Sequence, residues 1–148
     1  MNKSSFRIIS AESDSDLEKY YRLRYEVLRK PWGQPFAATF DDAEQKSLHI
    51  LMLDSNSEAV ACGRIQWNTP LQAQIRSMAV REDFRGEGLG SSIIRHIENT
   101  CVEKGVKEII LDARENALAF YEKNGYKIIA DSYTLFGQIK HYRMSKQF

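Results

Sequence analysis

One stretch constrains this chain more than any other: Ile75-Arg76-Ser77-Met78-Ala79-Val80, then Arg85-Gly86-Glu87-Gly88-Leu89-Gly90-Ser91. The first half reads as a strand. The second sets alternating glycines ahead of an apolar stripe (Leu89, Ile93, Ile94, Ile97, Cys101) at helical spacing. Glycines let the backbone approach a ligand and adopt positive φ. The helix start adds free amides and a partial positive charge, which together suit an anion. Arg85 can add a charge-assisted bond to a phosphate. A nucleoside-triphosphate loop needs a lysine where Leu89-Gly90-Ser91 has none, and a dinucleotide turn needs glycine where Ser91 stands. An ordinary tight turn is the plain alternative.

The rest of the chain fits elements around this turn. Phe6-Arg7-Ile8-Ile9 reads as a short strand. Ser13 or Asp14 can cap a helix to about Arg29 with the stripe Leu17, Tyr20, Tyr21, Val27 and Leu28. Pro31, Gly33 and Pro35 open an irregular segment through Asp42. Strand-like runs follow at Leu48–Leu53, Ala59–Trp67 and Ala73–Val80, with short polar turns that favour an antiparallel meander. After the glycine-turn helix, a strand at Glu108–Ala113 is predicted to pair in parallel with the one before it. A short helix over Asn116–Asn124 takes Asn116 as its cap and Gly125 as its stop. Strands at Tyr126–Phe136 and Ile139–Ser145 close as a hairpin around Gly137. The order β-α-β-β-β-α-β-α-β-β predicts an α/β fold, a mixed sheet covered by helices, in a single domain spanning 1–148.

Composition narrows the function classes. With 21 basic and 20 acidic side chains and no Lys/Arg stripe, no nucleic-acid partner is expected. No apolar run approaches the roughly 20 residues that span a bilayer, so no membrane partner is expected either. The polar start, Met1 to Ser5, does not read as a signal peptide. Cys62 and Cys101 match no metal or redox spacing and read as reduced, buried thiols of a cytoplasmic protein, with no metal expected.

The run Arg85-x-x-Gly88-x-Gly90 after Met78-Ala79-Val80 resembles motif A of the GNAT superfamily of N-acetyltransferases. Asn116-Ala117-Leu118-Ala119-Phe120-Tyr121-Glu122-Lys123-Asn124-Gly125-Tyr126 is similar to the family's motif B, and the resemblance extends over roughly Phe6 to Met144. The stretch Leu23 to Gly33 also resembles a small bacterial subgroup of mostly uncharacterised acetyltransferases.

The resemblance implies the GNAT fold, acetyl-CoA as cosubstrate, and direct attack by an amine in a ternary complex. It implies coenzyme binding by Met78, Ala79, Val80, Arg85, Gly86, Glu87, Gly88, Leu89, Gly90, Ser91, Asn116 and Tyr121. A main-chain amide in Met78–Val80 would stabilise the developing oxyanion, and Tyr121 would protonate the departing thiolate. Core packing is the plain alternative for Tyr121, since Phe120 beside it shares a short helix. His49, Glu26, Asp112 and His141 are all chemically capable of serving as the base, with His141 on the closing strand matching the subgroup. His49 on an apolar strand equally suits a satisfied interior histidine. Arg24 sits inside an apolar stripe, so its guanidinium reaches solvent, meets a buried carboxylate, or faces an anionic group of substrate or coenzyme. Arg24, Trp32 and His49 are taken as acceptor-side candidates. The expected acceptor is a small-molecule or amino-acid-like primary amine. A coenzyme-binding domain without turnover and a protein lysine or N-terminal acetyltransferase are the alternatives. A homodimer through the closing strands follows by analogy with relatives.

Overall fold

The computed structural model describes residues 5–148, and Met1–Ser4, most of the stretch read above for an export signal, lie outside them. One seven-stranded sheet carries the fold, ordered β1-β2-β3-β4-β5-β7-β6. Its strands are β1 (Arg7–Ser10), β2 (Leu48–Leu53), β3 (Ala59–Thr69), β4 (Gln72–Val80), β5 (Glu108–Arg114), β6 (Lys127–Leu135) and β7 (Ile139–Gln147). Only β4 and β5 pair in parallel, the outcome expected for a connection through a helix. The helices are α1 (Asp14–Leu28), α2 (Leu89–Glu103) and α3 (Leu118–Lys123).

Strand alternation assigns each helix a face. In β2, Ile50 and Met52 pack with Ile93, Ile94, Ile97 and Cys101 of α2 in the main core. Leu51 and Leu53 turn the other way, onto Tyr20 and Leu23 of α1. Both cysteines are buried and free. Ser13 caps α1, its Oγ accepting from the Asp16 amide at 3.1 Å.

The cap expected at Asn116 is not formed. The chain makes a 3-10 turn over Glu115–Ala117 first, and α3 begins at Leu118 without a side-chain cap. Six residues of helix lie against the strand β5, and tertiary packing rather than capping holds them there.

Candidate active site

The site begins where the parallel pair comes apart. β4 and β5 are in register only from Gln72↔Glu108 to Ile75↔Leu111. Beyond that point β4 stays with β3, and β5 continues along β7 as far as Arg114↔His141. The sheet therefore opens a wedge at the carboxyl ends of its two central strands. A β-bulge shapes one wall. Pairing between β3 and β4 runs Arg64↔Arg76 and then Cys62↔Ala79, passing over Ser77 and Met78, and Ser77 has φ 55°. The extra residue shifts the phase of the strand: Ile75, Met78 and Val80 all pack with the α2-side core, which regular alternation forbids. Gly63 sits beneath the bulge, where an added Cβ would lie 2.8 Å from Met78 Sδ.

Two cavities meet at the wedge. The larger, about 490 Å³, runs over the glycine turn and the start of α2, between β4 and α3. Gly86 and Gly88 have φ of 83° and 81°, so the turn uses the left-handed region that glycine supplies. Gly88 is the N-cap of α2 and no side chain caps that end, leaving its first amides available for an anion. Of the residues expected to hold coenzyme, Met78, Ala79, Val80, Arg85, Gly86, Gly88, Leu89, Gly90, Ser91, Asn116 and Tyr121 line this groove. Glu87 lies in the turn but outside the lining, with Oε1 buried and unpartnered among the described residues. A polyphosphate fits such a turn on its donor chemistry: free helix amides, positive-φ glycines and one guanidinium.

The smaller cavity, about 210 Å³, fills the wedge itself. Tyr121, Leu28, Met78, Arg114 and Ala117 belong to the walls of both cavities, so the two meet there. Tyr121 is 8% exposed, and its hydroxyl makes no hydrogen bond with any described residue. Burial pushes its hydroxyl well above the ordinary phenol range, against the pull of the Arg114 charge. His141 lines the smaller cavity and is 3% exposed, with its ring stacked on Tyr133 at 4.4 Å. Its Nδ1 lies 2.8 Å from the Ile139 carbonyl. A carbonyl only accepts, so Nδ1 carries the hydrogen and Nε2 keeps a lone pair. Burial, assisted by the Arg114 and Arg29 charges, holds this imidazole below its ordinary value of 6.5, hence neutral near pH 7.

Arg24, Arg29, Arg76 and Arg114 make up much of the remaining wall, and an ion-pair network backs it. Arg24 makes a bidentate pair with Glu44, at 2.7 and 2.8 Å, and donates to the Thr39 carbonyl at 2.6 Å. Arg64, 0% exposed, also reaches Glu44 at 2.8 Å and Asp41 at 2.9 Å. Glu44 further accepts from the Asp41 amide and the Tyr21 hydroxyl, so one carboxylate fastens the segment after α1 to both α1 and β3. Although burial acts to raise it, the two guanidiniums hold its carboxyl below the usual range. Asp112 is likewise engaged, by Arg143 at 2.8 and 3.0 Å and by Ser132 at 2.8 Å.

These contacts decide among the sequence-based alternatives. Arg24 lines the cavity but is neutralised by the part-buried Glu44 carboxylate instead of reaching solvent. His49 is a satisfied interior group: Nδ1 meets the Tyr20 hydroxyl and Nε2 the Glu44 carbonyl, each at 2.8 Å, and it lines neither cavity. Trp32 stands on the 3-10 turn Lys30–Trp32, exposed and away from both. Glu26 faces another groove, beside Arg22 and Arg81. Burial pushes the Cys62 thiol up to about 12, which suits packing and not nucleophilic attack. Glu44, Arg29, Arg76 and Arg114 were not singled out in the sequence. Their only trace there was charge inside otherwise apolar or irregular stretches.

The comparisons with known proteins agree with this architecture. The acetyltransferase (GNAT) family model matches residues 16–126. The uncharacterized N-acetyltransferase YjcF of Bacillus subtilis (strain 168) is 26% identical over 140 residues, 95% of this chain and 99% of the relative. A crystal structure from Lactobacillus plantarum, provisionally named an N-acetyltransferase, superposes with a TM-score of 0.87 at 20% identity, over 97% of this chain and 99% of that one. A GNAT family acetyltransferase from Elizabethkingia anophelis, solved with acetyl-CoA bound, gives 0.78 at 15% identity, over 99% and 100%. The chain belongs to the GNAT acetyltransferase family. It is an N-acetyltransferase.

Proposed function

We propose that this protein binds acetyl-CoA along the glycine-turn groove and transfers the acetyl group to the primary amine of a small-molecule or amino-acid-like acceptor in the wedge. The observation that carries the reading is Tyr121, whose unpartnered hydroxyl side chain belongs to the walls of both cavities. Acetyl-CoA supplies the activated acyl group as a thioester. The free amides at the start of α2, with Arg85, bind the coenzyme's phosphates. At the register gap in β4, a main-chain amide of Met78–Val80 donates to the acyl oxygen, a contribution on the order of 3 kcal/mol. His141 Nε2 takes the proton that the amine must lose, directly or through water, and Tyr121 returns one to the leaving sulfur. A coenzyme-binding domain without turnover has no use for that phenol.

The test is thermal unfolding with acetyl-CoA and CoA against ATP and NAD, followed by thiol release on a panel of amines. At a hundredfold excess over Kd, a one-site ligand stabilises by roughly 2.7 kcal/mol, several degrees for a chain of this size. A rise with the two CoA ligands alone, plus turnover of some amine, is expected. No rise at millimolar ligand overturns the reading.

A further inference from the structure

The wall of the smaller cavity carries Arg24, Arg29, Arg76 and Arg114 against the carboxylates Asp41 and Asp112. Arg24, Arg64 and Arg76 share Glu44 and Asp41, and Arg143 has Asp112. Arg29 and Arg114 have no carboxylate partner among the described residues. Their hydrogen bonds go to carbonyls: Arg29 Nε to Ala38 at 2.9 Å and Nη1 to Leu28 at 3.2 Å, Arg114 Nη2 to the same Leu28 oxygen at 3.1 Å. One carbonyl thus collects two guanidiniums, both half-buried and both in the wall of the smaller cavity. Carbonyl bonds orient a guanidinium but leave its charge uncompensated, which is costly away from water. Burial and mutual repulsion act on Arg29 in the same direction, below its usual range.

Resting on the transferase reading above, we propose that the acceptor is a carboxylate-bearing amine, such as a free amino acid, and that Arg29 and Arg114 grip its carboxylate. A planar carboxylate matches two guanidiniums oriented by one oxygen. The same field works on the amine. Unneutralised guanidiniums disfavour an ammonium ion and promote loss of its proton, while the carboxylate keeps the acceptor bound as that happens. Polycationic amines are disfavoured for the same reason.

Binding and transfer are measured for the common amino acids against their carboxamides, which are nearly isosteric but lack the negative charge. In the presence of CoA, amino acids are expected to bind at least tenfold tighter than their amides, and spermidine not at all. Arg29→Gln and Arg114→Gln are expected to raise the acceptor KM about a hundredfold with a smaller change in kcat. Arg29→Gln leaves the acetyl-CoA KM unchanged, because Arg29 lines only the smaller cavity, and Arg29→Lys recovers part of the loss. Arg22→Gln, on the exposed side of α1, controls for net charge. Coenzyme-induced stabilisation of each variant shows that it is folded. Equal binding of amino acids and amides, or of neither, overturns the proposal even if some other amine is acetylated. Carboxylate-dependent binding that needs Arg29 and Arg114, without any acetyl transfer, upholds the clamp and overturns the transferase reading instead.

Discussion

Single side chains at the junction of the two cavities carry the sharpest expectations. Tyr121→Phe removes a hydroxyl that supports no other described group, so stability should hardly change while kcat falls about a hundredfold, the usual reach of a positioned acid. Steady-state thiol release checks this, and a loss of acetyl-CoA affinity instead would make the residue a packing element. On the proposed mechanism, His141 governs the acid limb of the pH profile. Its lone pair must be free, and its affinity for protons is below the ordinary 6.5. The kcat/KM should therefore hold steady through mildly acidic pH and fall only below that value. His141→Gln should lower the plateau and flatten the limb. Tyr121 was readable in the sequence because its motif is local. Arg114 and Glu44 were not: their partners lie 86 and 20 residues away along the chain, and separation of that kind leaves no periodicity to read.

At the level of elements, the bulge in β4 is the decisive device. Gly63→Ala sets a Cβ 2.8 Å from Met78 Sδ and 3.0 Å from both Ile93 Cγ2 and Ile97 Cδ1. Overpacking of this sort costs about 1–3 kcal/mol, and here it also displaces Met78. A urea midpoint lowered together with a raised acetyl-CoA KM is expected, and a change in stability alone would disconnect the bulge from coenzyme binding. The element order and the parallel pairing of β4 with β5 followed from turn spacing and from the helix between them. The bulge did not show, because Ala73–Val80 reads as a plain strand whose phase is broken only by its neighbours' packing. Asn116 misled for a related reason: a residue chemically suited to capping stands where the backbone has already begun a 3-10 turn.

For the molecule as a whole, charge pairing couples stability to acidity. His49 and His141 both have folded-state values below 6.5, so the unfolded chain takes up their protons first. Stability should fall as pH drops below about 6.5. Asp41, Glu44 and Asp112 have folded values below their ordinary ones of 3.8, 4.5 and 3.8, so a second loss should begin as pH falls through about 4. Urea midpoints at about pH 7.5, 5.5 and 3.5 would show both steps, and a flat response between the first two would contradict the histidine assignment. Among the described residues, Glu44→Gln strips Arg24 of its only carboxylate and leaves Arg64 with Asp41 alone. A loss of about 3 kcal/mol is expected, seen as a melting point lower by on the order of 10 °C. That carboxylate has a wider consequence. Between Lys30 and Ser47 the chain joins no strand of the sheet, and its charged attachment to the body runs through Glu44 and its neighbour Asp41. Such a segment is a replaceable part. Evolution, or an engineer grafting the stretch from a relative, can rewrite Phe36 to Phe40 and so retune which molecules are admitted, provided the fastening acid is kept in place.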